Sequence, residues 1–206
     1  MQPLILPLSY CPPIPWMQLA AGEEKALLET QETFPKQTIR NRCVICASGG
    51  MQILTVPLKE RKNNSRTCDI LIDQSSAWQK HHLKTLQSAY SKSPFFQFYS
   101  DDFSDVLNQE FTFLAELNFA LLLLFKKMLR LKTEFDETTE YFQSDGANYD
   151  FRNAFDKKNP ADYISLYPEV KYRQVFEEKN GFVPNVSVLD LLFNTGPDAY
   201  ACLLKR

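Results

Sequence analysis

The chain has 206 residues, and its 23 Lys and Arg side chains against 25 Asp and Glu side chains give a formal net charge of −2. This balance excludes a generally basic nucleic-acid coat protein, because no net positive field collects phosphates. Hydrophobic residues make up 44% of the chain, which is typical of a globular protein and not of a disordered one. The length favours a single domain spanning residues 1–206.

The first thirty residues predict the start of a parallel α/β sheet. An apolar run at 4–8 predicts a buried strand, and a proline-rich turn at 10–16 follows it. A short helix at 16–21 then leads to a second strand at 26–30. The order strand, turn, helix, strand is typical of such sheets. We therefore expect an α/β fold: a single domain with a mostly parallel or mixed central sheet and flanking helices.

The segment 40–58 predicts a β-hairpin after the second strand, because two β-rich arms flank the turn signal Ser48-Gly49-Gly50. Cys43 and Cys46 in the first arm have the CxxC spacing of metal and redox motifs. Residues three apart in a strand point to opposite faces, so the two sulfurs would not converge. We expect both to be buried side chains without a metal. A polar loop at 59–66 and a further strand at 68–72 follow.

Four helices are predicted downstream: from Ser76 or Ala77 to Ser91, and over 104–132, 168–180 and 188–193. The second is one long buried helix, because leucines recur along it at steps of three, four or seven. The same repeat would suit the seam of a homodimer, and that alternative stays open. Residues 140–162 are rich in Asp, Asn and aromatics, and we expect either a lid or an irregular connection with a strand near 149–151.

The segment between the second strand and the hairpin carries the candidate binding residues. Arg40 and Arg42, two apart in an extended segment, would project from the same side and offer two guanidinium forks to a phosphate or carboxylate. Lys36 would add a compact charge. The alternative is a solvated flank on which the arginines pair with Glu29 and Glu32 at low energetic value.

Three residues are candidate catalytic bases: Glu29, Glu32 and, more weakly, His82. A lone inward-facing histidine is more often a core residue, and a carboxylate beside guanidiniums has a lowered pKa that makes it a poor base. No second His or Cys converges on His82 in the sequence pattern, and no P-loop or GxGxxG occurs, so we expect no metal and no cofactor. The candidate orienting donors are Gln37, Asn41 and Asn194.

Several strings occur in order over nearly the whole chain and resemble the WbqC-like family. The most distinctive block is Lys36-Gln37-Thr38 with Arg40-Asn41-Arg42-Cys43. The other strings are 6–10 with 13–16, 54–57, Trp78 with His82, 89–90 with 93–96, and 187–194 with 196–197.

The resemblance implies a bacterial cytoplasmic protein associated with surface-polysaccharide (O-antigen-like) biosynthesis, and it supplies no reaction. Separately, the order strand, aromatic-proline turn, helix, strand resembles that of nucleotidylyltransferase-like α/β domains, in architecture only. A cytoplasmic location agrees with an N-terminus that lacks a basic region before its apolar run, and with an apolar run at 119–125 too short to span a bilayer. We therefore expect no membrane and no nucleic-acid partner.

Two functions stay open from the sequence. The first is a group transferase acting on an activated sugar or acyl donor, with Lys36, Arg40 and Arg42 holding its negative charge. The second is a non-catalytic binding or scaffold protein that recognises an anionic metabolite or partner through the same side chains. An enzyme needs a base or nucleophile within hydrogen-bond reach of the bound ligand, whereas a binding protein does not.

Overall fold

The computed structural model describes residues 3–60, 62–143, 149–155 and 168–204. Within these residues the fold is α/β, as predicted, with a parallel sheet, a separate hairpin and surrounding helices. In chain order the elements are β1 (Leu4–Pro7), α1 (Ile14–Ala21), β2 (Lys25–Glu29), β3 (Arg42–Ala47), β4 (Gly50–Thr55), α2 (Trp78–Tyr90), α3 (Phe96–Leu107), α4 (Leu114–Leu129), β5 (Glu134–Glu137), α5 (Glu177–Asn180), α6 (Val188–Thr195) and α7 (Ala199–Leu203).

The parallel sheet has the strand order β1-β2-β5. Its strands are short and its central positions are buried on both faces, as parallel strands covered by helices require. Ile5 of β1 also forms a parallel bridge to Asp150: its N–H donates to the Tyr149 carbonyl at 2.8 Å and its carbonyl accepts from Phe151 N–H at 2.9 Å. The 149–151 segment therefore adds a strand-like contact to the edge of the sheet. The rest of the predicted lid lies partly outside the described residues.

The hairpin β3–β4 is antiparallel, with Cys43 opposite Leu54. The outer edge of β3 is covered, because Ser187 N–H donates to the Val44 carbonyl at 2.7 Å just before α6 begins. Cys43 and Cys46 are buried free thiols, as the strand periodicity predicts. The predicted first helix, second strand and hairpin thus lie within a few residues of their observed positions.

The predicted helix over 104–132 is wrong in its bounds: the structure has two helices, α3 and α4, separated by residues 108–113. The start of α4 is fixed locally, because the Glu116 carboxylate accepts from Phe113 N–H at 3.1 Å. It is also fixed by the rest of the fold, since Leu114 N–H donates to the Ile70 carbonyl at 2.9 Å. The leucine periodicity continues across the break because both helices face the same core.

Two further predicted elements differ from the structure. The strand expected at 68–72 is a single 3₁₀ turn, Thr67–Asp69, followed by isolated bridges. Of the predicted helix at 168–180, the described residues form only α5. The Gln174 side chain ties this stretch to the chain beyond α5, because it donates to the Val183 carbonyl at 2.9 Å and accepts from Val183 N–H at 2.8 Å.

The C-terminal helix α6 follows its sequence signals closely. The Ser187 hydroxyl accepts from Leu189 N–H at 3.3 Å, which is an N-cap contact, and Gly196 ends the helix with a φ of 55°. Among the described residues the longest helix is α4, with 16 residues, and no helix combines the length and the apolar character that crossing a bilayer needs.

We predict that Gly196→Ala destabilises the fold by about 2–4 kcal/mol, measured by urea denaturation. A Cβ at Gly196 would lie 2.5 Å from the Phe95 ring, and the backbone conformation there strains any L side chain. Gly49→Ala is the matched control, because a Cβ there meets nothing within 4 Å. Equal stability of the two variants would contradict this packing.

Candidate functional site

The loops that follow β1 and β2 meet at the carboxyl edge of the parallel sheet, where α/β proteins usually bind ligands. Tyr10 N–H in the first loop donates to the Ile39 carbonyl in the second at 2.9 Å. Each loop contains a non-glycine residue in the left-handed region, Cys11 with a φ of 48° and Gln37 with a φ of 54°. Such backbone conformations are uncommon and concentrate at functional sites.

Glu29, the last residue of β2, is completely buried. Its carboxylate accepts four hydrogen bonds, from Gln31 N–H at 2.8 Å, Thr138 Oγ1 at 2.8 Å, Phe142 N–H at 3.0 Å and Arg152 Nη1 at 3.2 Å. A carboxylate has about four lone-pair positions, so these donors occupy it fully. Glu29 is therefore placed to hold the edge of the sheet together, and its oxygens are not open to a substrate proton.

Arg152 is a residue that the sequence interpretation missed. Its guanidinium binds Asp150 through two atoms, Nε to Oδ1 at 2.9 Å and Nη2 to Oδ2 at 2.6 Å, and Nη1 also donates to the Phe142 carbonyl at 2.8 Å. The Tyr141 ring lies 4.8 Å from the guanidinium carbon. The hydrogen bonds with Asp150 are the main cause that raises the pKa of Arg152. The only sequence signal was the alternation of Asp150 and Arg152 beside a strand-forming Phe.

Arg40 points into the protein and pairs with Glu32. It is completely buried; its Nε and Nη2 lie 2.7 Å and 2.6 Å from Glu32 Oε1, and Nη1 donates to Thr38 Oγ1 at 2.5 Å. Nη2 also donates to the Arg152 carbonyl at 3.2 Å. The expected extended segment is wrong at this point, because Ile39 and Arg40 lie in a turn and β3 begins at Arg42. The pairing with Glu32 that the sequence left open is present, and it is buried instead of solvated.

Arg42 differs from the other two arginines. It is half-buried at the start of β3, and its Nε is buried without a hydrogen-bond partner among the described residues. Within that part of the chain its guanidinium also forms no ion pair. Lys36 and Gln37 are exposed in the loop that precedes it. These three residues are the predicted binding residues that remain open to a ligand.

The predicted orienting asparagines are placed apart. Asn41 is buried and its Nδ2 donates to the Val56 carbonyl at 3.1 Å, which joins the start of β3 to the end of β4. Asn194 lies on α6, where its Nδ2 donates to the Asp190 carbonyl at 2.8 Å, and it lines a cleft whose lining does not include the 36–42 segment. The structure thus links Glu29, Glu32 and Arg40 through one network and leaves Asn194 outside it.

His82 is a core residue of α2 with 3% of its surface exposed. Its Nδ1 lies 2.9 Å from the Tyr10 hydroxyl, and the Trp78 ring packs edge-on against it with centroids 5.2 Å apart. Burial is the main cause that lowers the pKa of His82 to about 4. The ring is therefore neutral near pH 7 and shielded from solvent, which fits a structural role. Among the described residues, no group of three or more His, Cys, Asp or Glu side chains is arranged to hold a metal ion.

The sequence profile of the WbqC-like protein family matches residues 8–158 and 138–202. The chain belongs to this family. It is also similar to the uncharacterized protein Rv1507c of Mycobacterium tuberculosis, with 27% identity over 212 residues that cover 90% of this chain and 91% of that protein. No solved structure matches the chain. The family match covers β2, β5, the 36–42 segment and α6, so this WbqC-like protein shares its candidate site region with its family.

We predict that Arg40→Ala destabilises this WbqC-like protein by about 3–5 kcal/mol, because it leaves the Glu32 carboxylate buried without its partner. Arg42→Ala, two residues along, removes a guanidinium that has no protein partner among the described residues and should change stability by less than about 1 kcal/mol. Chemical denaturation of both variants tests the contrast. Similar losses for the two would show that Arg42 is also a structural residue.

We predict that the free energy of unfolding falls as the pH is lowered from about 6.5 to about 4, in part because of His82. The folded-state pKa lies below the unfolded value, so the unfolded chain binds the proton first and stability is lost across this window. The contribution of His82 is roughly 3 kcal/mol. His82→Asn, which keeps an acceptor for the Tyr10 hydroxyl, should flatten this part of the pH profile. An unchanged slope would contradict the assignment.

Proposed function

We propose that the protein binds an anionic activated donor, a nucleotide-sugar or an acyl donor used in surface-polysaccharide biosynthesis, at the 36–42 segment. The observation that carries this proposal is that Arg42 Nε is buried without a hydrogen-bond partner, and that the guanidinium forms no ion pair with any residue the structure describes. The polysaccharide context comes from the family resemblance, and the class of ligand comes from the charge and geometry of the segment.

An unpaired charge that is half removed from water carries a desolvation cost, and proteins normally offset it with a carboxylate or a bound anion. Arg40 and Arg152 follow this rule, since both bind carboxylates directly. Arg42 has no such partner among the described residues. A phosphate or carboxylate group of a ligand would supply it, because the guanidinium offers several parallel N–H donors to two oxygens at once.

The position of the segment supports the same conclusion. It follows β2 at the carboxyl edge of the parallel sheet, and it is held by the Tyr10–Ile39 hydrogen bond to the loop after β1. Lys36 is exposed in the same segment, and the left-handed conformation of Gln37 fixes the turn between them. A charged, pre-organised loop at this edge loses little conformational freedom when it binds a ligand.

In this proposal Arg40 is a positioning residue. Its guanidinium is buried against Glu32 and Thr38, so it fixes the turn from which Arg42 departs and does not touch the ligand. This revises the role expected for it from the sequence, while Lys36 and Arg42 keep theirs.

A non-catalytic binding protein is the second candidate, and one observation favours it. The three candidate bases are engaged or shielded: Glu29 accepts four hydrogen bonds, Glu32 pairs with Arg40, and His82 is buried and neutral. Transfer chemistry would need one of these groups to be released or a base from the acceptor. Incubation with a bound donor and detection of its consumption by mass spectrometry separates the two candidates.

We predict that UDP-glucose or acetyl-CoA raises the melting temperature of the wild-type protein in a saturable manner. Binding adds RT ln(1 + [L]/Kd), which is about 2.7 kcal/mol when the ligand is at 100 times its Kd. Arg42→Ala should abolish the response, and Lys36→Ala should reduce it. Arg42→Lys should show a smaller shift in melting temperature than the wild type. An ammonium keeps the positive charge but lacks the planar pair of N–H donors that a guanidinium offers to two oxygens.

Lys84→Ala is the matched control, since Lys84 is an exposed lysine on α2 and not part of the 36–42 segment. It should respond to ligand as the wild type does. If neither donor stabilises the protein, or if Arg42→Ala responds normally, the binding assignment is wrong.

A further inference from the structure

A cleft that does not include the 36–42 segment has a hydrogen-bonded polar network at its base. It is an open cleft of about 960 Å³ between the turn that follows α2, the 171–178 stretch and the end of α6. Its volume falls within the range of small-molecule sites, roughly 300–1,000 Å³. The lining residues used below are Lys92, Lys171, Tyr172, Arg173, Gln174 and Asn194.

The floor is organised by the Asp190 carboxylate, which is completely buried beneath the cleft. Asp190 Oδ2 accepts from the Tyr172 hydroxyl at 2.6 Å, from Gln174 Nε2 at 3.0 Å and from Asn194 Nδ2 at 3.4 Å. Asp190 Oδ1 accepts from the Tyr90 hydroxyl at 2.7 Å. One buried acceptor therefore fixes the orientation of three side chains that line the cleft. Such a fully connected network is rigid, and it defines where a ligand finds donors and acceptors.

The network leaves one acceptor turned to the cleft. Because Asn194 Nδ2 donates to Asp190, its Oδ1 stays available, and it accepts no hydrogen bond from the described residues. The Tyr172 hydroxyl donates to Asp190 and is buried with it, so it belongs to the floor and does not reach a ligand. An amide oxygen suits a hydroxyl group, since the hydroxyl can donate to it.

The rim of the cleft carries charges of both signs. The Glu178 carboxylate is paired with Arg173 at 3.3 Å, and the Glu177 carboxylate accepts from Gln174 N–H at 3.1 Å. Lys92 is exposed and forms no ion pair among the described residues. Lys171 pairs with Glu169 at 3.7 Å, and an exposed pair of this length is worth little, so both lysines can meet an incoming negative charge.

We propose that this cleft binds a carbohydrate that bears an anionic group. The phosphate or carboxylate is held at Lys92 and Lys171, and a hydroxyl donates to Asn194 Oδ1. Asp190 is a positioning residue that does not touch the ligand: it holds Asn194 in place, and the Tyr172 hydroxyl in turn holds Asp190. The cleft is separate from the donor site at 36–42, because its lining includes no residue of that segment.

The probe is glucose 6-phosphate, titrated into the full-length ¹⁵N-labelled protein and followed by amide chemical shifts. We expect saturable shifts concentrated in residues 171–178 and 190–194, with glucose and inorganic phosphate each binding at least about tenfold more weakly. Lys92→Ala combined with Lys171→Ala should weaken glucose 6-phosphate binding at least about tenfold. The control variant Lys84→Ala should bind as the wild type does.

Tyr172→Phe provides a second readout, because it removes the hydroxyl from the floor and keeps the ring. It should lower affinity for glucose 6-phosphate and leave affinity for inorganic phosphate unchanged. The proposal is overturned if glucose 6-phosphate does not bind, if inorganic phosphate binds as tightly, or if the double lysine variant matches Lys84→Ala. Arg42→Ala should leave this binding intact, so failure here and failure of the donor site are separate results.

Discussion

The buried ion pairs at the carboxyl edge of the parallel sheet are the interaction on which the rest of the site depends. Three carboxylates, from Glu29, Glu32 and Asp150, face two guanidiniums, from Arg40 and Arg152. Burying these charges has a large desolvation cost, and only close geometry with additional hydrogen bonds offsets it. The structure meets this condition, because backbone N–H and carbonyl groups complete the set of partners. The network joins segments that are far apart in the chain.

This arrangement gives the two arginines of the 36–42 segment different surroundings. Arg40 is part of the interior, where its charge is neutralised and its position fixed. Arg42 begins the next strand, and its Nε has no hydrogen-bond partner within the described part of the chain. The carboxylates of Glu29 and Glu32 are held by hydrogen bonds and ion pairs, so the proposed function needs no proton transfer by them.

A buried carboxylate also organises the cleft beside α6. Asp190 is a buried carboxylate that gathers two tyrosine hydroxyls, a glutamine and an asparagine. Burial raises the pKa of Asp190, and the hydrogen bonds that it accepts oppose this effect. In both places a buried carboxylate orders a stretch of chain that has little regular secondary structure of its own. Such order is what lets irregular segments hold side chains in fixed positions for a ligand.

The elements that could be predicted from the sequence are those with strong local signals. The strands β1 and β2 have short apolar runs, the hairpin has its Ser-Gly-Gly turn, and α6 has a serine cap and a glycine stop. The family was also recognisable, because its motifs lie in order along the chain. These features depend on residues that are close together in the sequence. The fold class and the elements named above could therefore be predicted from the sequence alone.

Tertiary structure decided what depends on distant partners. The leucine repeat could not reveal the break between α3 and α4, because both helices face one core and the break is fixed by contacts with Ile70 and Leu71. The 171–176 stretch is not helical, and its Gln174 side chain bonds to the backbone of Val183, nine residues further along the chain. Residue types suggested that Arg40 and Arg42 act together, whereas a buried glutamate eight residues before Arg40 separates their roles. No sequence pattern marked Arg152 as a site residue. Its Nη1 lies 3.2 Å from the Glu29 carboxylate, and Glu29 is 123 residues away in the chain.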